Sequence, residues 1–304
     1  MSTKTEVEKL AYIFPGQGSQ YIGMGKGIYD SHEVARQTFK RAEEVIGKPL
    51  MKWCFEGPEE VLNDTRATQP AVFTTSIAAL RVLQETGESP QVLAGHSLGE
   101  YSALVAADAL SFEDALLLVD KRAQYMAESG EEKPGAMAAI SNLALDSLSR
   151  ICRSTGAYIA NQNTPAQNVI SGTKEAISAS VEYVRLNQGL RAVAHRLPIS
   201  IAAHSPLMQG AADKMKSAIV GAKVHIPSIP VLSNSTAEPF IDEQSIRDSL
   251  PEQLVTGVLW WQTVENMLKM GVVEIKEVGP RNVLSKMIGR ALTDKTVRII
   301  PTNA

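Results

Sequence analysis

Gln91-Val92-Leu93-Ala94-Gly95-His96-Ser97-Leu98-Gly99 is the stretch of sequence that decides the fold of this chain. The apolar residues before Gly95 predict a short buried strand, and the residues from Leu98 to Ala106 predict a helix. Gly95 to Gly99 match the pattern G-x-S-x-G, in which a sharp strand-to-helix turn exposes a serine. The N-terminus of the helix would then direct backbone N–H groups at the space above Ser97. The stretch therefore indicates acyl transfer through a serine ester, with a chance match in a glycine-containing turn as the alternative.

The composition is that of a globular protein and argues against several classes of function. Of the 304 residues, 44% are hydrophobic and 21% are charged. A chain of this length is sufficient for one large domain or for a large and a small one. The formal net charge is −3 and no basic patch stands out, so nucleic acid is not expected as a partner. No apolar run is as long as a membrane span, so a membrane is not expected as a partner either.

The cysteines and the first residues indicate a protein of the reduced cytoplasm. The two cysteines, Cys54 and Cys152, lie in no C-x-x-C or Cys/His pattern, which favours two buried thiols over a metal site. The first nine residues are polar and lack the apolar core of a signal peptide. We therefore expect a cytoplasmic protein without a bound metal.

Strands that alternate with helices in the first part of the chain predict a parallel sheet. Besides the elements around Ser97, the predicted elements are a strand over 10–14 and helices over 32–46, 70–85 and 112–128. Ser111 is the expected N-cap of the last of these helices. The polar segment Ser129–Gly135 contains glycine and proline and is predicted as a linker.

After this linker the pattern changes to the order β-α-β-β-α-β, which is typical of a ferredoxin-like unit. Its strands are predicted over 136–141, 157–160, 168–171 and 191–197, and its helices over 143–154 and 173–187. Further strands are then predicted over 229–232, 272–278 and 297–300. We therefore predict an α/β fold, with a core of residues 1–133 and 201–304 and a ferredoxin-like subdomain of residues 134–200.

A serine nucleophile needs a general base within hydrogen-bond reach, and histidine is the most frequent one. The five histidines are His32, His96, His195, His204 and His225. His96 is next to the serine, but its side chain should point away from the tip of the turn. His204 lies where the chain re-enters the main domain, and such a crossing is a natural place for a cleft. We therefore favour His204 as the base, with a purely structural histidine as the alternative.

Five motifs occur in order along nearly the whole chain. They are Phe14-Pro15-Gly16-Gln17-Gly18-Ser19-Gln20, Gly95-His96-Ser97-Leu98-Gly99-Glu100, Lys121-Arg122-Ala123-Gln124-Tyr125-Met126, His204-Ser205-Pro206-Leu207-Met208 and Glu277-Val278-Gly279-Pro280. Together they resemble the motifs of malonyl-CoA:acyl-carrier-protein transacylases, the acyltransferases of fatty-acid and polyketide synthesis. The family has an α/β-hydrolase-like core with an inserted ferredoxin-like subdomain, which agrees with the organisation predicted above.

The resemblance implies roles for the residues at the matching positions. Ser97 would take the acyl group from the CoA thioester, and His204 would accept the serine proton and later give it to the leaving thiol. Gln17 and Leu98 would supply the backbone N–H groups of the oxyanion hole. Arg122 would pair with the malonyl carboxylate, because a guanidinium binds a carboxylate through two hydrogen bonds and keeps its charge when buried. Without the motif, Arg122 would be taken for a helix-surface arginine.

The resemblance places three further residues in the site. In the family a backbone carbonyl, here that of Gln253, orients the histidine in place of an acidic residue. Asn163 and Met126 would line the acyl pocket, and the alternative for Asn163 is a turn residue before Thr164-Pro165. The chain departs from the family at Ala203, where many malonyl-selective members carry phenylalanine or serine. A small residue there could widen the pocket and loosen the selectivity for malonyl groups.

The activity implied by the resemblance is ping-pong transfer of malonyl from malonyl-CoA to the phosphopantetheine thiol of an acyl carrier protein, in fatty-acid biosynthesis. The CoA thioester is a substrate and the partner carries the phosphopantetheine, so no resident cofactor is expected, and a monomer suffices. The alternatives are a trans-acting polyketide-synthase acyltransferase, a hydrolase that clears stalled acyl chains from carrier proteins, and a non-catalytic protein with this fold. Arg122 argues against the hydrolase, because an unpaired buried cation beside an apolar chain is costly.

Overall fold

The computed structural model describes residues 8–187, 191–294 and 296–301, and these residues contain two sheets. The described strands are β1 (Lys9–Phe14), β2 (Val92–Gly95), β3 (Gly135–Ser141), β4 (Tyr158–Thr164), β5 (Gln167–Thr173), β6 (Val193–Arg196), β7 (Val231–Leu232), β8 (Val272–Glu277) and β9 (Arg298–Pro301). One sheet is parallel with the order β7-β2-β1-β8-β9, and the other is antiparallel with the order β4-β5-β3-β6. The predicted α/β fold class is therefore confirmed.

Helices connect the strands and cover the sheets. The described α-helices are α1 (Lys26–Ser31), α2 (Glu33–Ile46), α3 (Leu50–Phe55), α4 (Glu59–Asn63), α5 (Thr65–Gln84), α6 (Gly99–Ala106), α7 (Phe112–Glu132), α8 (Leu145–Thr155), α9 (Lys174–Leu186), α10 (Gln209–Ile219), α11 (Glu243–Glu252), α12 (Trp260–Lys269) and α13 (Val283–Ala291). As predicted, the Ser111 side chain caps α7 by accepting a hydrogen bond from the Asp114 N–H. Within the described ranges, no helix combines the length and the apolar character that crossing a membrane requires.

Strand β1 occupies the centre of the parallel sheet, and both of its faces are buried. Ala11, Tyr12, Ile13 and Phe14 are all 0% exposed. Because side chains alternate along a strand, Tyr12 and Phe14 pack into the larger hydrophobic core on one face, whereas Ala11 and Ile13 pack into a second core on the other. Burial on both faces explains why the strand sequence is a continuous apolar run instead of an alternating one.

The antiparallel sheet and the two helices packed on it have the predicted order β-α-β-β-α-β. Strand β3 pairs with β5 on one side and with β6 on the other. Ile151 of α8 and Ile177 of α9 pack with Ile170 of β5 in a third hydrophobic core. This unit runs from β3 to β6, and the exact domain boundary at residues 134 and 200 stays a prediction.

The linker predicted over Ser129–Gly135 is wrong, because α7 continues through it to Glu132. Ser129 and Gly130 are buried in this helix. A Cβ on Gly130 would lie 2.2 Å from Ile201 Cγ2, so the glycine serves close packing against Ile201 and not a turn. The sequence shows a glycine at this position but not the distant contact with Ile201 that requires it.

Helix α5 also differs from its prediction, because it begins at Thr65 and not at residue 70. The side chain of Asp64 accepts a hydrogen bond from the Arg66 N–H at 2.8 Å and caps the helix at this earlier point. Pro70 then lies inside the helix. Proline is frequent in the first turn of helices, and this preference suggests a helix start at Pro70. The helix in fact starts five residues earlier, at Thr65.

The turn between β2 and α6 packs against the end of β1, and two glycines make this packing possible. A Cβ on Gly95 would lie 1.9 Å from the carbonyl carbon of Gly99, and a Cβ on Gly99 would lie 2.1 Å from the carbonyl oxygen of Phe14. No side chain can approach backbone atoms so closely, so only glycine fits at both positions. The His96 N–H donates to the same Phe14 oxygen at 2.9 Å. These contacts fix Ser97 at the carboxyl edge of the parallel sheet.

Replacement of Gly99 by alanine should therefore destabilise the protein. The added methyl group meets the Phe14 carbonyl, so we expect Gly99→Ala to lower the free energy of unfolding by about 3 kcal/mol or more. Gly27→Ala is the matched control, because Gly27 is exposed in α1 and an added Cβ has nothing within 4 Å. Denaturant unfolding of both variants provides the measurement, and equal stabilities would contradict the close packing of the turn.

Candidate active site

Ser97 lies at the tip of the turn between β2 and α6 in a strained backbone conformation. Its φ angle is 53°, in the left-handed region that is costly for residues other than glycine. Its backbone N–H donates to Asn234 Oδ1 at 2.7 Å, and Asn234 Nδ2 donates to the carbonyl oxygen of Gly95 at 2.7 Å. Asn234 is buried and follows β7, the strand next to β2. The side chain of Asn234 therefore stabilises the turn that presents the serine.

His204 lies against Ser97 and is oriented by a main-chain carbonyl. The distance from Ser97 Oγ to His204 Nε2 is 2.8 Å, and His204 Nδ1 lies 2.7 Å from the backbone oxygen of Gln253. Because a carbonyl only accepts hydrogen bonds, Nδ1 carries the proton and Nε2 can accept the hydrogen of the serine hydroxyl. The structure thus brings together the three residues that the sequence resemblance implies, with a carbonyl in the place of the acidic member of a triad.

Burial keeps the His204 imidazole uncharged. The residue is 4% exposed, and burial lowers the pKa of the imidazole to about 3, with the positive charge of Arg122 as the second cause. The hydrogen bond to the Gln253 carbonyl acts in the opposite direction and is outweighed. His204 is therefore neutral at physiological pH and can take a proton from Ser97.

Arg122 is a buried cation next to the serine. It is 1% exposed, so the helix-surface alternative is wrong. Its Nη2 lies 3.0 Å from Ser97 Oγ and 2.9 Å from Gln253 Oε1, and its Nη1 lies 2.5 Å from Gln69 Oε1. The Nε–H has no acceptor in the part of the chain that the structure describes. A buried guanidinium with an unused donor beside a serine favours a negatively charged ligand at this place.

The loop after β1 brings Gln17 to the serine turn. A Cβ on Gly16 would lie 2.6 Å from the His96 oxygen and 3.7 Å from the Leu98 nitrogen, so the loop touches the turn directly. The backbone N–H groups of Gln17 and Leu98 donate to no acceptor within residues 8–187, 191–294 and 296–301. Both groups are therefore available to a ligand at the turn.

Asn163 and Met126 are buried, and each contacts a residue that neighbours Ser97 in sequence or bonds to Arg122. Asn163 belongs to β4 and not to a turn, and its Oδ1 lies 2.9 Å from Nε2 of His96, the residue before the serine. Met126 Sδ lies 3.4 Å from Nε2 of Gln69, whose oxygen accepts from Arg122. That the two side chains line an acyl pocket stays a prediction.

Glu100 is a buried residue of the site that was not predicted, although it is part of the second motif. Glu100 is 0% exposed, and its Oε1 accepts hydrogen bonds from Asn234 N at 2.7 Å and from Asn234 Nδ2 at 3.0 Å. Burial raises the pKa of Glu100 to about 7, while these N–H groups and the charge of Arg122 lower it. Glutamate side chains are rarely fully buried, so the sequence alone favoured an exposed residue here. The available signal was the i to i+3 spacing from Ser97, which places both residues on one side of the helix start.

Two amide side chains were missed as well. Asn234 follows the strand predicted over 229–232, and residues after the carboxyl ends of parallel strands often form ligand sites, so a signal was available. Gln69 lies just before the helix predicted over 70–85, and nothing in the sequence points to it. In the structure Gln69 is 0% exposed and donates to Thr65 Oγ1 at 2.8 Å, which leaves its oxygen for Arg122.

Comparison with known proteins decides the family of the chain. A family model described as acyl transferase domain matches residues 11–303. The chain belongs to this acyltransferase family. A relative named malonyl CoA-acyl carrier protein transacylase, from Bacillus subtilis, is 39% identical to this acyltransferase over 287 residues, which cover 93% of this chain and 90% of the relative.

Solved structures resemble this acyltransferase over the same extent. The malonyl-CoA:acyl carrier protein transacylase of Xanthomonas oryzae pv. oryzae has a TM-score of 0.92 and 38% identity, covering 97% of this chain and 94% of the other. A type II PKS acyl-carrier protein in complex with its malonyl-transacylase gives a TM-score of 0.92 and 37% identity, covering 97% and 96%. Family membership thus rests on the whole chain and not on the serine motif alone.

The pH dependence of serine reactivity tests the charge state of His204. Because burial and Arg122 both disfavour the imidazolium, labelling of Ser97 by a neutral fluorophosphonate should not lose rate between pH 8 and about pH 5 through protonation of His204. Arg122→Ala removes the positive charge that helps to lower the His204 pKa. In this variant the loss of labelling rate on the acid side should therefore occur at higher pH. The exposed neighbour Lys121 offers the control Lys121→Ala, which should keep the wild-type profile. A wild-type acid limb at the ordinary histidine pKa of about 6.5 would contradict a buried neutral base.

Proposed function

We propose that the protein transfers a malonyl group from malonyl-CoA to the phosphopantetheine thiol of an acyl carrier protein, through an ester on Ser97, in fatty-acid biosynthesis. The observation that carries the proposal is the position of Arg122, whose Nη2 lies 3.0 Å from Ser97 Oγ inside the protein. A carboxylate on the acyl group can pair with this guanidinium and offset the cost of its burial, whereas an apolar chain cannot. The names of the relatives, malonyl CoA-acyl carrier protein transacylases, support the same substrate.

In the first half-reaction, Ser97 Oγ attacks the thioester carbonyl of malonyl-CoA and passes its proton to His204 Nε2. The oxyanion that forms accepts hydrogen bonds from the backbone N–H groups of Gln17 and Leu98. The carbon–sulfur bond then breaks, the CoA sulfur takes the proton from His204, and the malonyl group remains as an ester on Ser97. The Gln253 carbonyl stabilises the imidazolium that exists between the two proton transfers.

In the second half-reaction, the thiol of the carrier gives its proton to His204 and attacks the ester carbonyl. The ester bond breaks, and Ser97 Oγ regains the proton from His204. The product is a malonyl thioester on the carrier, and the free enzyme is restored. A thioester is exchanged for a thioester, so serine, imidazole and N–H groups suffice, and we propose that no resident cofactor or metal takes part.

The partners and the location are part of the proposal. Malonyl-CoA and the carrier bind in turn at the same serine, which requires only one chain, so we propose a monomer as the active form. We place the enzyme in the cytoplasm, and the two free, buried cysteines Cys54 and Cys152 are compatible with a reducing compartment.

A trans-acting acyltransferase of polyketide synthesis is the second candidate function. The solved complex of a type II PKS acyl-carrier protein with its malonyl-transacylase favours it, because this chain covers 96% of the matched structure at 37% identity. The chemistry at Ser97 is the same in both cases, and only the carrier differs. Ala203 is buried in the core and precedes His204 in the sequence; that its small side chain widens the acyl pocket and loosens malonyl selectivity stays a prediction.

The covalent intermediate tests the role of Ser97. Incubation with malonyl-CoA in the absence of carrier should add the mass of one malonyl group to the wild-type protein, and Ser97→Ala should abolish this adduct because it lacks the nucleophile. Ser102→Ala is the matched control, since Ser102 is a buried serine of the same turn-and-helix unit and its hydroxyl has no partner within the described residues. Intact-mass spectrometry gives the result, and an adduct that survives in Ser97→Ala would reject Ser97.

The role of Arg122 is tested by the choice of acyl donor. Arg122→Ala should lower kcat/KM for loading from malonyl-CoA at least about 100-fold, because it removes a charge-assisted contact to the carboxylate. Loading from acetyl-CoA, which has no such carboxylate, should lose far less, and the exposed Lys121→Ala should affect neither donor. Losses of equal size for the two donors would remove the carboxylate-binding role.

The fate of the acyl group separates a transferase from a hydrolase. We expect the malonyl ester on Ser97 to persist without carrier and to move rapidly to a fatty-acid carrier protein once that is added. A polyketide carrier in a parallel reaction distinguishes the two pathways by the ratio of kcat/KM values. Rapid release of free malonate without carrier would favour the hydrolase instead.

A further inference from the structure

Glu100, Gln253 and Arg122 form a buried chain of hydrogen bonds beside Ser97. Arg122 Nη2 donates to Gln253 Oε1 at 2.9 Å, and Gln253 Nε2 donates to Glu100 Oε2. The same Nε2 also donates to the carbonyl oxygen of Ser97 at 3.1 Å. Glu100, Gln253 and Arg122 are each at most 1% exposed. A single amide group therefore connects a buried carboxyl group with a buried guanidinium.

The direction of this amide is determined by the chemistry of its two neighbours. A guanidinium only donates hydrogen bonds and a carboxylate only accepts them, whereas an amide has one end of each kind. The other oxygen of Glu100 already accepts hydrogen bonds from the main-chain N–H and from the side-chain NH2 group of Asn234. The carboxylate therefore presents only an acceptor to Gln253, so the NH2 group faces Glu100 and the oxygen faces Arg122.

We propose that Glu100 is a positioning residue for the substrate carboxylate, because it fixes Gln253 Oε1 on Arg122 and thereby fixes the guanidinium. The inference rests on the proposed function, in which Arg122 binds the malonyl group. Glu100 also places a negative charge one amide away from the buried cation, which offsets the burial of Arg122 before substrate arrives. The main-chain carbonyl of Gln253, which accepts from His204, is a separate group, so the side chain can turn without moving the base.

Glu100→Gln tests the inference because it replaces one acceptor oxygen of the hydrogen-bond chain by an NH2 donor, with almost no change in side-chain volume. Asn234 continues to donate to the remaining oxygen at position 100, so the new NH2 group faces the Gln253 NH2 group. Gln253 must then turn and present its NH2 group to Arg122, where two donors oppose each other.

The expected result is a selective loss of malonyl loading. For Glu100→Gln we expect kcat/KM for loading from malonyl-CoA to fall about 30-fold or more, mainly through KM. A neutral fluorophosphonate has no carboxylate that must pair with Arg122, so the loss of its reaction with Ser97 should be at least about tenfold smaller. Both rates are measured at about pH 8, above the pKa of about 7 of the Glu100 carboxyl group.

Two further variants make the test specific. Glu243→Gln is the matched control, because Glu243 is an exposed glutamate in the first turn of α11, and it should keep both rates. Gln253→Met removes the amide but keeps the main-chain carbonyl, so it should also lower malonyl loading more than labelling. In this background Glu100→Gln should have little further effect, since the two residues act through one contact. If Glu100→Gln does not fold, Gln253→Met tests the same contact with Glu100 intact.

The outcomes separate this inference from the proposed function. Equal losses of malonyl loading and labelling, or losses that multiply in the double variant, would overturn the role of Glu100 while the wild-type protein still forms its malonyl ester. A wild-type protein that forms no malonyl ester on Ser97 would contradict the proposed function, and the inference with it.

Discussion

The burial of the Arg122 guanidinium is the constraint on which the rest of the site depends. A cation that is 1% exposed needs acceptors, and the protein provides them through the side-chain oxygens of Gln69 and Gln253. Its charge also contributes to the low pKa of His204, so the cation helps to keep the base neutral. The carboxylate of Glu100, which forms as the pH rises above its pKa of about 7, lies on the far side of Gln253. One buried charge thus accounts for the two glutamine side chains beside the serine.

The parallel sheet brings these groups together because neighbouring strands end at the same edge. Ser97 follows β2, Gln17 follows β1 and Asn234 follows β7, and these three strands are adjacent in the order β7-β2-β1. Neighbouring strands lie about 4.8 Å apart, so loops after adjacent strands meet without long excursions. The close approach of Gly99 to Phe14 brings the serine turn as near to β1 as backbone atoms permit. The core of the sheet therefore sets the geometry of the site.

Much of the fold and part of the site could be predicted from the sequence, and the failures have a common cause. The strands, the serine turn and the order of the small antiparallel unit follow from local patterns of apolar residues. The predicted linker failed because Gly130 is required by a contact with Ile201, which is distant in sequence. Glu100 was missed because its burial depends on Asn234 and Gln253, which come from other parts of the chain. Local patterns carry no information about such partners. Arg122 could be assigned to the site only through the resemblance of the five motifs to those of a known family.

Gln253 takes part in the site through two chemically independent groups. Its main-chain carbonyl accepts a hydrogen bond from His204. Every residue type has such a carbonyl, so a substitution keeps this contact as long as the backbone stays in place. Its side chain contacts Arg122, Glu100 and the main-chain carbonyl of Ser97, and these contacts change with the residue type. If Arg122 binds the acyl carboxylate as proposed, substitutions at this position alter which acyl group is accepted and leave the carbonyl that orients His204 in place. Substrate preference and catalytic competence can evolve separately at a single residue.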